Sequence, residues 1–327
     1  MAFDKPIRRI AIVGTGVVGA SWAAEFLVRG FDVIATDPAA NAEANLRKYI
    51  DTAWPSLTAL GLDKNALRER LSFTPDLKNA LGNADFVQEN GPERKDFKVQ
   101  LFADLDAATP PDSIIASSSL GLTMSVMQSA CKHPERCVIG HPFNPPHMVP
   151  LVEVVGGART SMDAVRHAIE FYASMGKKPI HLLKEVVGHV ANRLQAAIYR
   201  EVVNLINLGV VDVANADTAA CWGPDLHWGV MGPSILFHLA GGQGGIQHFM
   251  EYLSGPVATW WKDLGGFTEW PEGNKETIAA GVTKAANGRS VDELAQMRDE
   301  VLLELRETPS EAGRGVHFSA CEVGRTV

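Results

Sequence analysis

The chain has 327 residues, 46% of them hydrophobic and 21% charged, and a formal net charge of −8 at pH 7. One core seldom serves more than about 250 residues, so two domains are expected, and an acidic balance without a lysine–arginine stripe sets nucleic acid aside as a partner. No apolar run approaches the roughly 20 residues of a membrane span and no basic-then-apolar leader opens the chain, so a soluble, cytoplasmic protein without a membrane partner is expected.

Residues 8–13 (RRIAIV) form a short apolar run. GTGVVG follows at residues 14–19, then a helical pattern with Trp22, Ala23, Phe26 and Leu27 on one side. A second apolar run over residues 31–35 leads to Asp37, eighteen residues after Gly19, so the unit closes at the length of one βαβ crossover. A GxGxxG alone is equally an ordinary turn; strand, helix and acid in register make it a dinucleotide site. Gly14 permits the tight turn, Gly16 lets the backbone approach a pyrophosphate, and Gly19 allows close helix–strand packing. Val17 and Val18 open a helix whose unpaired N–H groups face the phosphates. Asp37 would accept hydrogen bonds from the adenosine ribose and repel a 2′-phosphate, which favours NAD over NADP; FAD uses the same fingerprint and is the rival at this point.

A helical stretch over residues 41–60 precedes short β-like runs at 84–87, 113–117, 136–140 and 151–155, which extend an α/β, doubly wound Rossmann-type sheet. Ligands of such sheets lie beyond the carboxyl ends of the strands, where residues 89–94, 117–119 and His141 should converge. In LVEVV, Glu153 shares a face with Leu151 and Val155, and an ionised carboxylate there is costly unless paired. His141 ends the preceding strand, and the proline-studded loop 142–150 can return the chain so that imidazole meets carboxylate. Such a carboxylate fixes the histidine tautomer and stabilises the imidazolium, as a general base for a substrate hydroxyl requires. Beside a nicotinamide that is alcohol oxidation; a buried structural ion pair is the plainer alternative.

From residue 188, Val190, Leu194, Ala197, Ile198, Glu201, Val202, Leu205 and Ile206 recur at helical spacing, and later segments are also helical. The expected division is a Rossmann-type NAD-binding domain over residues 1–186 and a mostly α-helical C-terminal domain, for substrate binding and dimerisation, over residues 187–327. GGQGG at 241–245 lacks the Lys-Ser/Thr of a phosphate loop and is read as a helix connection. Cys131, Cys137, Cys221 and Cys321 form no CxxC pair and no metal spacing, so they are read as ordinary thiols of a reducing compartment and no metal is expected.

GTGVVG with Asp37, HPFNPP at 141–146, PLVEVVGG at 150–157 and VANR at 190–193 together resemble the L-3-hydroxyacyl-CoA dehydrogenase family over almost the whole chain. The resemblance implies a catalytic histidine paired with a glutamate twelve residues on, matched by His141 and Glu153, and an asparagine in a helical NR motif, matched by Asn192. It implies that His141 takes the proton of a 3-hydroxyl, Glu153 orients it, Asn192 and Asn144 hydrogen-bond the reacting oxygen, and NAD receives the hydride. The family's cofactor loop carries a glutamate and, five residues later, a lysine, matched by Glu93 and Lys98, and a serine near the nicotinamide, matched by Ser117. Surface charge is the plainer reading of Glu93 and Lys98. The chain departs from the family at Leu120, where a substrate-contacting serine is usual; Ser119 or Ser118 could serve by a small shift, or the contact is dispensable, or activity is reduced. Homodimerisation through the helical domain is also implied.

CoA esters would want basic residues near the cleft, and the sequence offers isolated pairs such as Lys177-Lys178. HPFNPP, residues 221–253 and the pair Trp260-Trp261 are most similar to a branch of that family that oxidises carnitine; a gulonate-oxidising branch, which includes a lens crystallin, is near. The substrate implied is a small 3-hydroxy acid, foremost L-carnitine. L-3-hydroxyacyl-CoA and L-gulonate are alternatives, and a non-catalytic nucleotide-binding or structural protein is the rival of another class. An aromatic face binds a quaternary ammonium with about 0.5–2 kcal/mol, and Phe143, beside His141, is placed to be one; Ser119 and Asn144 complete the candidate substrate contacts.

Overall fold

The computed structural model describes residue 3 and residues 5–307, so Cys321 and the last part of the expected helical domain lie outside the described residues. The described residues divide into two compact units, one reaching residue 194 and including residues 299–303, the other formed by 195–298 and 304–307.

The first unit alternates strands and helices: β1 (Arg9–Val13), α1 (Val17–Val28), β2 (Asp32–Thr36), α2 (Ala42–Ala59), β3 (Leu71–Phe73), α3 (Leu77–Leu81), β4 (Phe86–Glu89) and α4 (Lys95–Ala108). β5 (Ile114–Ser117), α5 (Met124–Met127), β6 (Cys137–Pro142), β7 (Leu151–Gly156), α6 (Met162–Ser174) and β8 (Lys178–His181) follow, and α7 (Ala191–Asn207) begins beyond them. The strands form one sheet in the order β3-β2-β1-β4-β5-β6-β7-β8, parallel except for the β6–β7 pair. Alternate residues divide its two faces. Ile10 and Ile12 join the core beneath α1, α2 and α6, whereas Ala11 and Val13 join the core beneath α4 and α5.

Trp22, Ala23, Phe26 and Leu27 of α1 are fully buried, and so is nearly all of the helix from Gly19 on, because it packs against the sheet core and against aromatics of α6: Trp22 meets Tyr172 at 5.5 Å and Phe26 meets Phe171 at 5.9 Å. The strands β3 and β8, three and four residues long, were absent from the sequence reading, being too short to show alternation.

Register places the site. Val13 pairs with Glu89, Glu89 with Ser117, and Ser117 with Ile139, so the ends of β1, β4 and β5 form one row and His141 lies two residues past it. Because β7 runs antiparallel, its early residue Glu153 falls opposite His141.

The second unit is helical, from Val213–Trp222 through Val291–Glu307, around a core that includes Val203, Ile206, Val213, Ala216 and Ile278. The glycine run makes a 3-10 turn, Gly242–Gly244, between the helices Pro233–Ala240 and Gly245–Tyr252. Among the described residues no helix is long and apolar enough to cross a membrane.

Candidate active site

β1 delivers the chain into Gly14 at φ +85°, a left-handed conformation in which a Cβ would also stand 2.9 Å from the Asn90 carbonyl oxygen. At Gly19 a Cβ would lie 1.9 Å from the Gly14 carbonyl oxygen, so only glycine lets α1 close on the turn. Gly16 behaves differently: it caps α1 without a side-chain hydrogen bond, and a Cβ there would meet nothing within 4 Å. That open space, next to the first-turn N–H groups of Val17 and Val18, fits the phosphates of a dinucleotide. Asp37, just past β2, accepts hydrogen bonds from the Thr15 N–H at 2.7 Å, the Thr15 hydroxyl at 3.1 Å and the Ala39 N–H at 2.8 Å. Its carboxylate is thereby oriented against the glycine turn.

At the ends of β4 and β5 the structure reveals a buried knot. Lys98, in the first turn of α4, places Nζ 2.7 and 2.6 Å from the two carboxylate oxygens of Glu89, and the Ser117 hydroxyl donates to Glu89 Oε2 at 2.6 Å. Lys98 and Glu89 are 1% and 0% exposed, so Lys98 is no surface charge. Glu93 faces the other way and binds the loop after β5, accepting from the Ser119 hydroxyl at 2.6 Å and from the N–H groups of Gly121 and Leu122 at 2.9 and 2.8 Å. Burial opposes its ionisation, yet those bonds and the nearby Lys98 charge outweigh burial and hold the carboxyl below its ordinary range.

His141 and Glu153 meet as the register requires, Nδ1 to Oε2 at 2.9 Å. The other oxygen, Oε1, accepts the N–H groups of Val190 and Ala191 at 2.8 and 3.0 Å, where the chain enters α7. Glu153 is fully buried; burial alone would raise its pKa, but the His141 bond and the two backbone N–H groups together lower it. An ionised carboxylate only accepts, so Nδ1 of His141 carries the ring proton and Nε2 presents a bare lone pair. Asn192 stands at that nitrogen, its Nδ2 3.5 Å from Nε2 and 3.3 Å from the Leu120 carbonyl oxygen. At 3.5 Å the direct contact is at the outer limit of a hydrogen bond, and an oxygen bound by both groups could donate to His141 while accepting from Asn192.

The residues singled out from sequence thus fall into three groups. Gly14, Gly16, Val17, Val18, Gly19 and Asp37 form the turn; Glu93, Lys98, Ser117 and Ser119 lie at the ends of β4 and β5; His141, Glu153 and Asn192 form the third. Phe143 and Asn144 follow His141 in the loop, Phe143 half-buried and Asn144 exposed. The serines near Leu120 are all engaged: Ser117 with Glu89, Ser119 with Glu93, and Ser118 with Asn90 at 2.8 Å while it accepts from Gln88 at 2.8 Å and Trp22 at 3.2 Å. Leu120 itself is 55% exposed. Sequence reasoning placed Glu89 in the converging loop 89–94 but gave neither its side chain nor that of His189 a role. The first carried the same signal as Glu153, a carboxylate in a buried strand; for the imidazole of the second, after a glycine, there was none.

The chain is similar to known proteins over most of its length. Residues 9–186 match the model of the 3-hydroxyacyl-CoA dehydrogenase NAD binding domain, and residues 188–279 match the model of the C-terminal domain of the same family. The chain is 44% identical over 316 residues to an L-carnitine dehydrogenase of Streptomyces coelicolor, covering 96% of this chain and 98% of that one. It is 42% identical over 317 residues to an L-carnitine dehydrogenase of Pseudomonas aeruginosa, with 96% and 98% coverage. Among solved structures, an NAD+-dependent 5-formyl-3-hydroxy-2-methylpyridine 4-carboxylic acid 5-dehydrogenase superposes with a TM-score of 0.81 at 30% identity, over 92% of this chain and 98% of that one. With the glycine turn, the paired histidine and glutamate and both domain models in agreement, this chain belongs to the 3-hydroxyacyl-CoA dehydrogenase family.

Proposed function

We propose that the chain is an NAD-dependent dehydrogenase of a small 3-hydroxy acid that oxidises L-carnitine at its 3-hydroxyl to 3-dehydrocarnitine, as a cytoplasmic homodimer. The observation that carries this reading is the His141 ring, held through Nδ1 by Glu153 at 2.9 Å so that Nε2 is left bare and faces Asn192. His141 Nε2 takes the hydroxyl proton, Glu153 stabilises the imidazolium that results, and the Asn192 amide donates to the same oxygen as it becomes a carbonyl. The glycine turn and Asp37 would hold NAD, which supplies the hydride acceptor when bound. Glu93, Lys98 and Ser117 keep the neighbouring strand ends in place.

Several features favour carnitine over an acyl-CoA. The relatives named L-carnitine dehydrogenase match over nearly the full length. Lys177, half of the one basic pair noted above, is buried with Nζ 3.3 Å from Glu25, so it is not offered to a CoA phosphate. Phe143 follows His141 closely enough to lend an aromatic face to a quaternary ammonium. In the second unit Trp222, Tyr252, Trp260 and Trp261 are exposed, which supports a homodimer.

The test is NADH formation by the purified protein with NAD and, separately, L-carnitine, D-carnitine, L-gulonate and L-3-hydroxybutyryl-CoA. Turnover of L-carnitine and not of its mirror image is expected, with a rate that rises through the pH range in which an imidazole loses its proton. Turnover of the CoA ester instead would overturn the substrate. NADH binding without turnover of any compound would favour the binding-protein reading, for which Leu120 in place of a serine is the supporting observation.

A further inference from the structure

Four consecutive residues at the entry to α7 each make a bond into the carboxyl edge of the sheet. Val190 and Ala191 give their N–H groups to Glu153, and Asn192 gives its amide to the Leu120 carbonyl. The first of the four, His189, has no part in the chemistry above. Yet it sits at φ +51°, directly after Gly188 at φ +78°, a left-handed conformation that disfavours any residue with a Cβ. Its ring is 1% exposed, places Nε2 2.9 Å from the Ser119 carbonyl oxygen, and lies 4.9 Å from the His141 ring, centroid to centroid.

A carbonyl only accepts, so Nε2 of His189 carries a proton. Among the described residues, Nδ1 is buried without a hydrogen-bond partner. A second proton, on Nδ1, would bury a cation with no acceptor, beside a ring that must itself become a cation in every turnover. The His141 ring from β6 lies beside this ring, and the charges of Glu153 from β7 and Glu93 from the loop after β4 act on it. Burial is the largest influence and lowers its pKa; the His141 charge acts in the same sense, and the Ser119 carbonyl and the two carboxylates only partly offset them.

We propose that His189 is a positioning residue of the oxidation. As a neutral, Nε2-protonated imidazole it holds the Ser119 carbonyl, and with it the adjoining Leu120 carbonyl that receives Asn192, so that the amide stays at His141 and the proton taken from substrate has a single home. This rests on the dehydrogenase reading, and its test separates the two.

His189→Phe keeps an aromatic ring and removes the donor, whereas His189→Gln keeps an N–H that can reach the carbonyl; both carry a Cβ and so share the backbone cost. The phenylalanine variant is expected to lose about tenfold to a hundredfold in kcat with KM for NAD within about twofold, and glutamine to recover most of the loss. The acid limb of wild-type kcat/KM should follow one proton. Side-chain nitrogen NMR, assigned by comparison with the glutamine variant, should show one ring that is neutral with Nε2 protonated at neutral pH and that gains its second proton at lower pH than an ordinary imidazole. Wild-type kcat in His189→Phe, equal losses in both variants, a two-proton acid limb, or an imidazolium at this position at neutral pH would each overturn the proposal. If the wild type oxidises no 3-hydroxy compound, the functional reading fails, and the charge state seen by NMR decides the role of His189 by itself.

Discussion

Replacing Glu153 by glutamine alters hydrogen bonding at the centre of the site without altering volume. The amide has two orientations. If its carbonyl stays on the Val190 and Ala191 N–H groups, at 2.8 and 3.0 Å, its NH2 faces Nδ1 of His141, at 2.9 Å in the wild type. Nδ1 must then accept, which moves the ring proton to Nε2, the nitrogen that has to be bare. The reverse orientation keeps the useful tautomer but sets an NH2 against two N–H donors. That forfeits two hydrogen bonds at about 1 kcal/mol each and leaves buried donors unsatisfied, so the first orientation prevails by roughly 2 kcal/mol or more. Loss of the anion also removes the charge that stabilises the imidazolium. The analogous carboxylate-to-amide change in a serine-protease triad lowers kcat about 10⁴-fold, close to 5 kcal/mol of barrier, and a loss of about 10³- to 10⁴-fold is expected here. The assay is NADH formation at saturating L-carnitine and NAD, with thermal unfolding as the control for fold. Raising the pH should not restore the rate, because the misplaced proton is tautomeric and not titrated away. A folded glutamine variant with kcat within about tenfold of wild type would refute the assignment.

The remaining expectations concern the parts around that pair. Gly16→Ala adds a Cβ into open space and should leave the unfolding temperature unchanged while weakening NADH binding by about tenfold or more, read by fluorescence titration; Gly19→Ala meets the Gly14 carbonyl oxygen at 1.9 Å and should destabilise the fold itself. Lys98→Met strands a fully buried Glu89 and should cost about 3–5 kcal/mol in urea unfolding, with Glu89→Gln in the same chain recovering part of it. Asn192→Ala should lower kcat by about 10²- to 10³-fold with KM for substrate little changed, since the amide acts on the oxygen as its charge develops. Glu153 and Glu93 have folded pKa values below their unfolded ones, so the stability they contribute is present above about pH 4.5 and is lost as pH falls through the folded values. Unfolding temperatures should therefore hold near neutrality and decline below about pH 4.5, with Glu153→Gln flattening that decline.

The glycine turn and the His141–Glu153 pair were legible because each states its constraint locally. Three glycines at fixed spacing between a strand and a helix leave few conformations, and a carboxylate between valines in a buried strand demands a partner that the returning loop can supply. Glu89 makes the same demand at the end of FVQE. However, a carboxylate at a strand end is equally at home in water, and only the sheet shows it sealed beneath Lys98. Ser118 and Ser119 looked equally able to serve in place of a serine at Leu120; tertiary structure distinguishes them by acceptor, Asn90 for Ser118 and Glu93 for Ser119, with Ser117 on Glu89. The bond of the His189 ring was illegible for a related reason: its partner is a backbone carbonyl 70 residues away, and no side-chain pattern encodes a carbonyl.

One device recurs along the carboxyl edge of the sheet. Asp37 accepts the N–H groups of Thr15 and Ala39, Glu89 that of Gly91, Glu93 those of Gly121 and Leu122, and Glu153 those of Val190 and Ala191. Each carboxylate ties a loop to the sheet through charge-assisted hydrogen bonds, which are roughly twice as strong as neutral ones. A cluster of four acids would ordinarily repel the phosphates of a dinucleotide. Here much of their charge is directed into backbone dipoles and into Lys98 and His141, so the edge can be acidic and still receive an anionic cofactor at the helix end beside Gly16. The same bonds fix the loops before any ligand arrives. In the proposed oxidation, rate then depends on the placement of His141 and Asn192 within a few tenths of an ångström, a placement that rests on the carboxylates behind them.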